Sequence, residues 1–237
     1  MQNAQAYRIN LGDAWSHPQV VQFYQNHRNK STDVYRGEWV FLKPLLREGM
    51  SVLDIGCALG GFAEVIAEHV KQFHYVGVDV SHAMIENARA RLPSRTFYHL
   101  AEGDFSKLDG QTFDLVICLG ILHLHESWRD TLAKAWKHTG KHLLFDLRES
   151  HLPTLEDPTQ SFLRMDVYGN EGGHRDVRLP YIVVNYAEAM SLVLETCVPA
   201  SSTSQFGYIH AAHNAARGLP AKVMMNTWCI EKESKND

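Results

Sequence analysis

From Ser51 onward the chain alternates two kinds of segment. Short apolar runs of strand character occur at Val52–Leu53–Ile55, at Tyr75–Val76–Val78–Val80, over Thr96 to Ala101, from Phe113, and over His142 to Phe145. Between them, apolar positions recur at helical spacing: Phe62, Val65, Ile66 and His69; then Met84, Ile85, Ala88 and Leu92; then Trp128, Leu132, Ala135 and Trp136. Strand and helix in turn predict a largely parallel sheet. The run from Thr112 to His125 is too continuously apolar for a half-exposed strand, so it predicts a buried parallel strand ending near Leu119 and Gly120.

The flanks are less regular. Residues 1–32 are polar and aromatic by turns, with Tyr7, Trp15, Phe23 and Tyr24 beside His17, His27 and Arg28. They read either as a helical flap over a pocket or as packing on the outside of the domain. Trp39, Leu42, Leu45 and Leu46 then share a helix face that Pro44 should end or kink. After the fifth strand, ending at Asp146, alternation of Leu163, Met165 and Val167 with polar residues, and of Val177, Leu179 and Tyr181, predicts a hairpin around Gly169 to Gly173. This insertion, residues 148–183, would serve as a lid or as a contact with a second copy in a homodimer. Glu188 to Thr196 reads as a helix, Phe206 to Ile209 and Lys222 to Ile230 as the last strands, and 232–237 as a solvated tail. The expectation is one α/β domain over 1–237: a doubly wound, mostly parallel seven-stranded sheet with helices on both faces and a hairpin insertion after the fifth strand.

The chemistry gathers at the first strand's exit. Gly56, Ala58, Gly60 and Gly61 form a turn of minimal side-chain bulk leading into a helix, which lets a flat ligand lie against bare backbone beside unpaired helix N–H groups. Read as a dinucleotide fingerprint the turn is degenerate. Asp54, two residues before the first glycine, would repel a pyrophosphate and attract a cationic ligand. S-adenosylmethionine, with an ammonium and a sulfonium, suits that better. Asp79 ends the second strand, where an acid hydrogen-bonds ribose hydroxyls in mononucleotide-type units. Phe105 or Met84 could give an adenine ring an apolar face, and Asp104 an acceptor for its amine.

Composition narrows the field. The 237 residues carry a formal net charge of −4 without a basic block, which disfavours nucleic acid as the main partner. No apolar run approaches a membrane span or the core of a signal peptide, and Cys57, Cys118, Cys197 and Cys229 are widely separated, so a cytoplasmic protein with reduced thiols and no metal site is expected.

Taken in order, Val52 to Gly60, Val78 to Ser81, Glu102 to Phe105 and Phe113 to His123 resemble the Rossmann-like, class I S-adenosylmethionine-dependent methyltransferases. The resemblance implies that Asp54 and Gly56 hold the methionine end, Asp79 the ribose diol, and Asp104 with Phe105 the adenine, with Leu119 beside the methyl group and Cys57, Ala58, Gly60, Val80 and Met84 also among the cofactor-binding residues. Ala58 stands where the family usually has its middle glycine. His138 to Lys141 replaces a common Pro-Gly-Gly. Leu119-Gly120-Ile121-Leu122 lacks the Asn/Asp-Pro-Pro-Tyr of enzymes that methylate amide or base nitrogens, and no paired-glutamate loop of the protein arginine type is present. Both absences favour a small-molecule acceptor. An acceptor hydroxyl must lose its proton as it attacks, so O-methylation calls for a general base. His123, with His125 as substitute, is the candidate for that base or for positioning the acceptor; Arg148, His174, His210, His213 and Arg217 are further candidates. Two other readings compete: a nicotinamide-dependent oxidoreductase, disfavoured by Asp54 and by the lack of a Tyr-x-x-x-Lys pair, and a non-catalytic module that binds S-adenosylmethionine.

Overall fold

The computed structural model describes residues 11–168, 174–211 and 214–233. In chain order the helices are α1 (Leu11–Trp15), α2 (Pro18–Asn26), α3 (Arg36–Leu45), α4 (Gly61–Ala67), α5 (His82–Arg91), α6 (Trp128–His138) and α7 (Tyr186–Thr196). The strands are β1 (Ser51–Ile55), β2 (His74–Asp79), β3 (Thr96–His99), β4 (Phe113–Cys118), β5 (Thr139–Ser150), β6 (Phe162–Tyr168), β7 (His174–Pro180), β8 (Val184–Asn185), β9 (Ala200–His210), β10 (Ala216–Arg217) and β11 (Val223–Lys232).

The main sheet runs β3-β2-β1-β4-β5-β11-β9, with the short β8 also paired to β5. Strands β1 to β5 are mutually parallel, and β11 enters antiparallel between β5 and β9. Side chains alternate between two cores. Leu53, Ile55, Val76, Val116, Cys118, Leu143 and Phe145 face α6 and α7 through Trp128, Leu132, Ala189 and Val193. Val52, Tyr75, Leu115, Ile117 and Leu144 face α3 and α4 through Leu42, Phe62, Val65 and Ile66. That two-sided burial is why β4 reads as a continuous apolar run from Leu115 to Cys118.

Three expectations shift in detail. Strand β5 continues past Asp146 to Ser150 because β11 pairs with it along its whole later half, from Glu149 opposite Met224 to His142 opposite Glu231. The inserted hairpin is present, with Phe162 opposite Pro180 through Tyr168 opposite His174, but with β10 it builds a separate three-stranded sheet. Lys232 belongs to β11 rather than to a solvated tail: its ammonium donates to the carbonyls of Trp136 and Thr139. Pro44 lies one residue before the end of α3 and marks its stop. The first ten residues of the flap, the hairpin turn at 169–173, His213 and residues 234–237 lie outside the described residues, as does the side chain of His174. Among the described residues no helix is long and apolar enough to cross a membrane.

Candidate functional site

All the parallel strands deliver their C-terminal ends to one edge of the sheet, and a cleft opens there. Its floor is the turn after β1. Gly56 and Ala58 adopt left-handed backbone, φ 76° and φ 46°, and the Gly56 and Cys57 N–H groups both donate to the Val78 carbonyl, which folds the turn down over β2. This leaves Gly56 and Ala58 on the wall of the cleft. Ala58 pays for a conformation that glycine takes without penalty.

Asp79 ends β2 at the cleft. Its Oδ1 accepts from the Ser81 N–H at 2.8 Å and its Oδ2 from the Ala58 N–H at 2.9 Å, so the carboxylate ties turn to strand. Burial raises its pKa, and these backbone donors oppose the rise. Val80, Met84, Leu100, Phe105 and Ile121 supply apolar walls, and His125 lines the rim near Glu102. The opposite wall carries Trp15 and Tyr24 from α1 and α2.

The other residues expected at the site lie elsewhere. Asp54 does not line the cleft: it is 1% exposed, accepts the Tyr75 hydroxyl at 2.6 Å, and is pushed up to about 7 by desolvation. Cys57 turns its sulfur toward Gly77, where an added Cβ would lie 2.8 Å from Sγ, and Gly60 packs under Phe97. Asp104 is exposed and caps its own turn by accepting from the Ser106 N–H at 2.9 Å. Leu119 is packed in the core with Ile117 and Leu144, and the next residue, Gly120, takes its place on the wall. His123 is buried with its ring edge-on to Tyr181 at 5.0 Å, and burial together with Arg148 holds its pKa well below the usual imidazole value. His125 is lowered less, because Glu102 opposes its burial.

Sequence reasoning did not assign a site role to Arg28. It follows α2 in left-handed backbone, φ 60°, and its guanidinium lies between the rings of Phe62 (5.2 Å) and Tyr35 (5.5 Å) while forming a bidentate pair with the buried Glu38 at 2.9 and 3.0 Å. A Cβ on Gly120 would stand 3.2 Å from Arg28 Nη1, and one on Gly61 would lie 2.2 Å from the Arg28 carbonyl oxygen. The segment after α2 is thus strapped across the start of α4, and only glycine at 61 lets it pass.

Residues 53–143, β1 to the start of β5, match the family model described as "Methyltransferase domain". That stretch has the pattern of a methyltransferase domain. Within this chain, 92 residues are 30% identical to a malonyl-[acyl-carrier protein] O-methyltransferase of Legionella pneumophila, covering 38% of this chain and 31% of that protein. A trans-aconitate 2-methyltransferase of Afipia carboxidovorans is 32% identical over 84 residues, covering 35% and 30%. The chain therefore aligns with about a third of the length of these curated relatives. In structure it is similar to an S-adenosylmethionine-dependent methyltransferase described as putative from Listeria monocytogenes (TM-score 0.54, 18% identity, 83% of this chain and 99% of that one). It is also similar to the N-terminal domain of EvdMO1 crystallised in the presence of SAH and D-fucose (TM-score 0.58, 13% identity, 88% and 84%). At those identities the likeness shows a shared fold.

S-adenosylmethionine is the cofactor of this family, and the cleft fits it. Asp79 stands on its wall at the end of β2, a turn without side-chain bulk forms the floor, and Val80, Met84, Phe105 and Ile121 line an apolar side. Arg28 is the cation beside Gly120, near the strand-β1 side of the cleft.

Proposed function

We propose that this methyltransferase transfers a methyl group from S-adenosylmethionine to a small-molecule acceptor, on oxygen rather than nitrogen. The observation that carries the reading is the convergence of Asp79, the Gly56–Ala58 turn and the apolar slot of Val80, Met84 and Phe105 on one cleft. Asp79 would take the ribose hydroxyls, since each of its oxygens accepts one backbone N–H and keeps acceptor capacity. Met84 and Phe105 would flank the adenine, and Arg28 would neutralise the cofactor's carboxylate. When bound, the cofactor supplies a methyl group already activated by its sulfonium. The protein's contribution is then orientation: an in-line approach at near-contact distance can supply much of the rate.

The helices over 11–26 act as the flap, with Trp15 and Tyr24 excluding water from the cleft. Preference for oxygen rests on the absence of the nitrogen-methylating motif after β4 and on the relative named as an O-methyltransferase. The relatives' names also favour a small acceptor.

Calorimetric titration with S-adenosylhomocysteine and, separately, with NAD tests the cofactor. Micromolar binding of the first and none of the second is expected. Binding of NAD without S-adenosylhomocysteine overturns the reading, and cofactor binding with no methyl transfer to any acceptor reduces the protein to a binding module.

A further inference from the structure

Behind the loop that follows β4 lies a second group of polar side chains that the cofactor cleft does not use. Arg148 on β5 is 7% exposed and His123 is 6% exposed. Arg148 pairs through Nη1 with Asp146 and also donates to the Tyr181 hydroxyl oxygen. Asp146 in turn accepts from the Gly120 N–H at 2.5 Å, so this group is braced against the wall of the cleft. Two nitrogen atoms are left over. Arg148 Nε and His123 Nδ1 are both buried and have no hydrogen-bond partner. A buried donor left without a partner is costly, so a pair of them on neighbouring side chains marks a place that a ligand completes.

The chemistry of that ligand follows from the donors. Arg148 Nε–H is permanently a donor, and neutral His123 donates through Nδ1 in one of its tautomers. Two separate nitrogens, one of them charged, call for an acceptor-only group with two oxygens. A general base is also missing. His123 and His125 are both weakened as bases by burial, Asp146 is engaged by Gly120 and Arg148, and Tyr208 is pushed up to about 12. An alcohol would have nowhere to leave its proton. A group that is already ionised needs no such help.

We propose that the methyl acceptor is a carboxylic acid, bound as its carboxylate between Arg148 Nε and His123 Nδ1 and released as its methyl ester. This rests on the methyltransferase reading above. In the step, one carboxylate oxygen attacks the methyl carbon, a C–O bond forms, the S–CH₃ bond breaks, and its electron pair stays on sulfur, which becomes a neutral thioether. No proton moves. Arg148 and His123 are acceptor-binding residues in this scheme, and Tyr181 and Asp146 hold them in place.

The test uses the full chain with S-adenosylmethionine labelled in its methyl group and a deproteinised small-metabolite extract as acceptor mixture. Methyl esters of acids release volatile methanol in mild alkali, whereas methyl ethers and N-methyl groups do not. Most of the transferred label is expected to be released by alkali. Label that is transferred but alkali-stable overturns the carboxylate proposal and leaves the methyltransferase reading intact. No transfer by protein that binds S-adenosylhomocysteine overturns both. With the labelled acid in hand, Arg148→Lys and His123→Leu are each expected to raise its KM at least tenfold while the affinity for S-adenosylhomocysteine stays within twofold. The second variant keeps the Arg148–Asp146 pair and so guards against loss of folding in the first. Unchanged KM in both variants means the two nitrogens serve an internal water only, and the assignment falls.

Discussion

Replacing Glu149 by glutamine should flatten the fall in this protein's stability as pH rises through neutrality. Glu149 lies on β5, 1% exposed, and accepts only from uncharged donors: the Trp228 indole N–H at 2.8 Å and the Asn226 amide at 3.1 and 3.0 Å. Desolvation pushes its carboxyl from near 4.5 up to about 7, and no cation stands by to reverse that. Between those two values the folded state holds a proton that the unfolded chain has released. The group's contribution therefore declines as pH rises through the window, by roughly 3 kcal/mol in all. Glutamine has nearly the same shape, keeps an acceptor for Trp228, and sets an amide donor where Asn226 Nδ2 now donates, so that a turn of the Asn226 amide gives its unpartnered Oδ1 a donor. It does not titrate. At pH 5 the two proteins should be close; by pH 8 the variant should be ahead by roughly 3 kcal/mol, or roughly 6–12 °C in midpoint for a chain of this size. Asp54, also pushed up to about 7, changes in the same sense in both proteins and cancels from the comparison. The assay is thermal unfolding of parent and variant from pH 4.5 to 8.5 at fixed ionic strength. Parallel curves across that range would refute the assignment of an uncompensated buried carboxyl.

Asp79→Ala should weaken S-adenosylhomocysteine about 10- to 100-fold in calorimetry, the range for hydrogen bonds to a charged group; an unchanged affinity would remove Asp79 from the cofactor site. Ala58→Gly relieves left-handed backbone and should stabilise the fold by about 0.5–1 kcal/mol in urea melts. Gly61→Ala places a Cβ against the Arg28 carbonyl and should cost about 1–3 kcal/mol, with loss of the strap read as faster proteolysis between residues 26 and 36. Because His123 stays neutral in the folded state while the unfolded chain takes up a proton below about pH 6.5, its contribution falls as pH drops below that point; His123→Leu should flatten the acid limb of the stability curve measured from pH 7 to 5.

How much of this could be read from residue order depends on what each residue answers to. The parallel strands and their helices were legible because both faces of the sheet are covered, so Val52, Leu53 and Ile55 and the run Leu115 to Cys118 had to be apolar. Asp79, Met84 and Phe105 were legible as cleft residues because position after a strand decides where they project. Asp54 was not. Its partner, Tyr75, sits on the neighbouring strand, and no local pattern announces a hydroxyl 2.6 Å away. Leu119 and Gly120 differ by one place along a twisting chain end, too fine a distinction for periodicity. Arg28 and Glu38 meet across a turn between two helices, and their pairing depends on the space left by Gly61 and Gly120. The length of β5 was hidden too, since it is set by β11, more than seventy positions later.

That late strand has a consequence for assembly. Because β11 fills the gap between β5 and β9, and the sheet's parallel half is already complete without it, an earlier-folded body would wait with two adjacent rows of unsatisfied peptide groups until a distant segment threads home. Shortening the chain before Val223 would not trim an edge; it would leave an open seam down the middle, with Trp228 missing from its place on Phe145 and Glu149 stripped of the groups that make its burial tolerable.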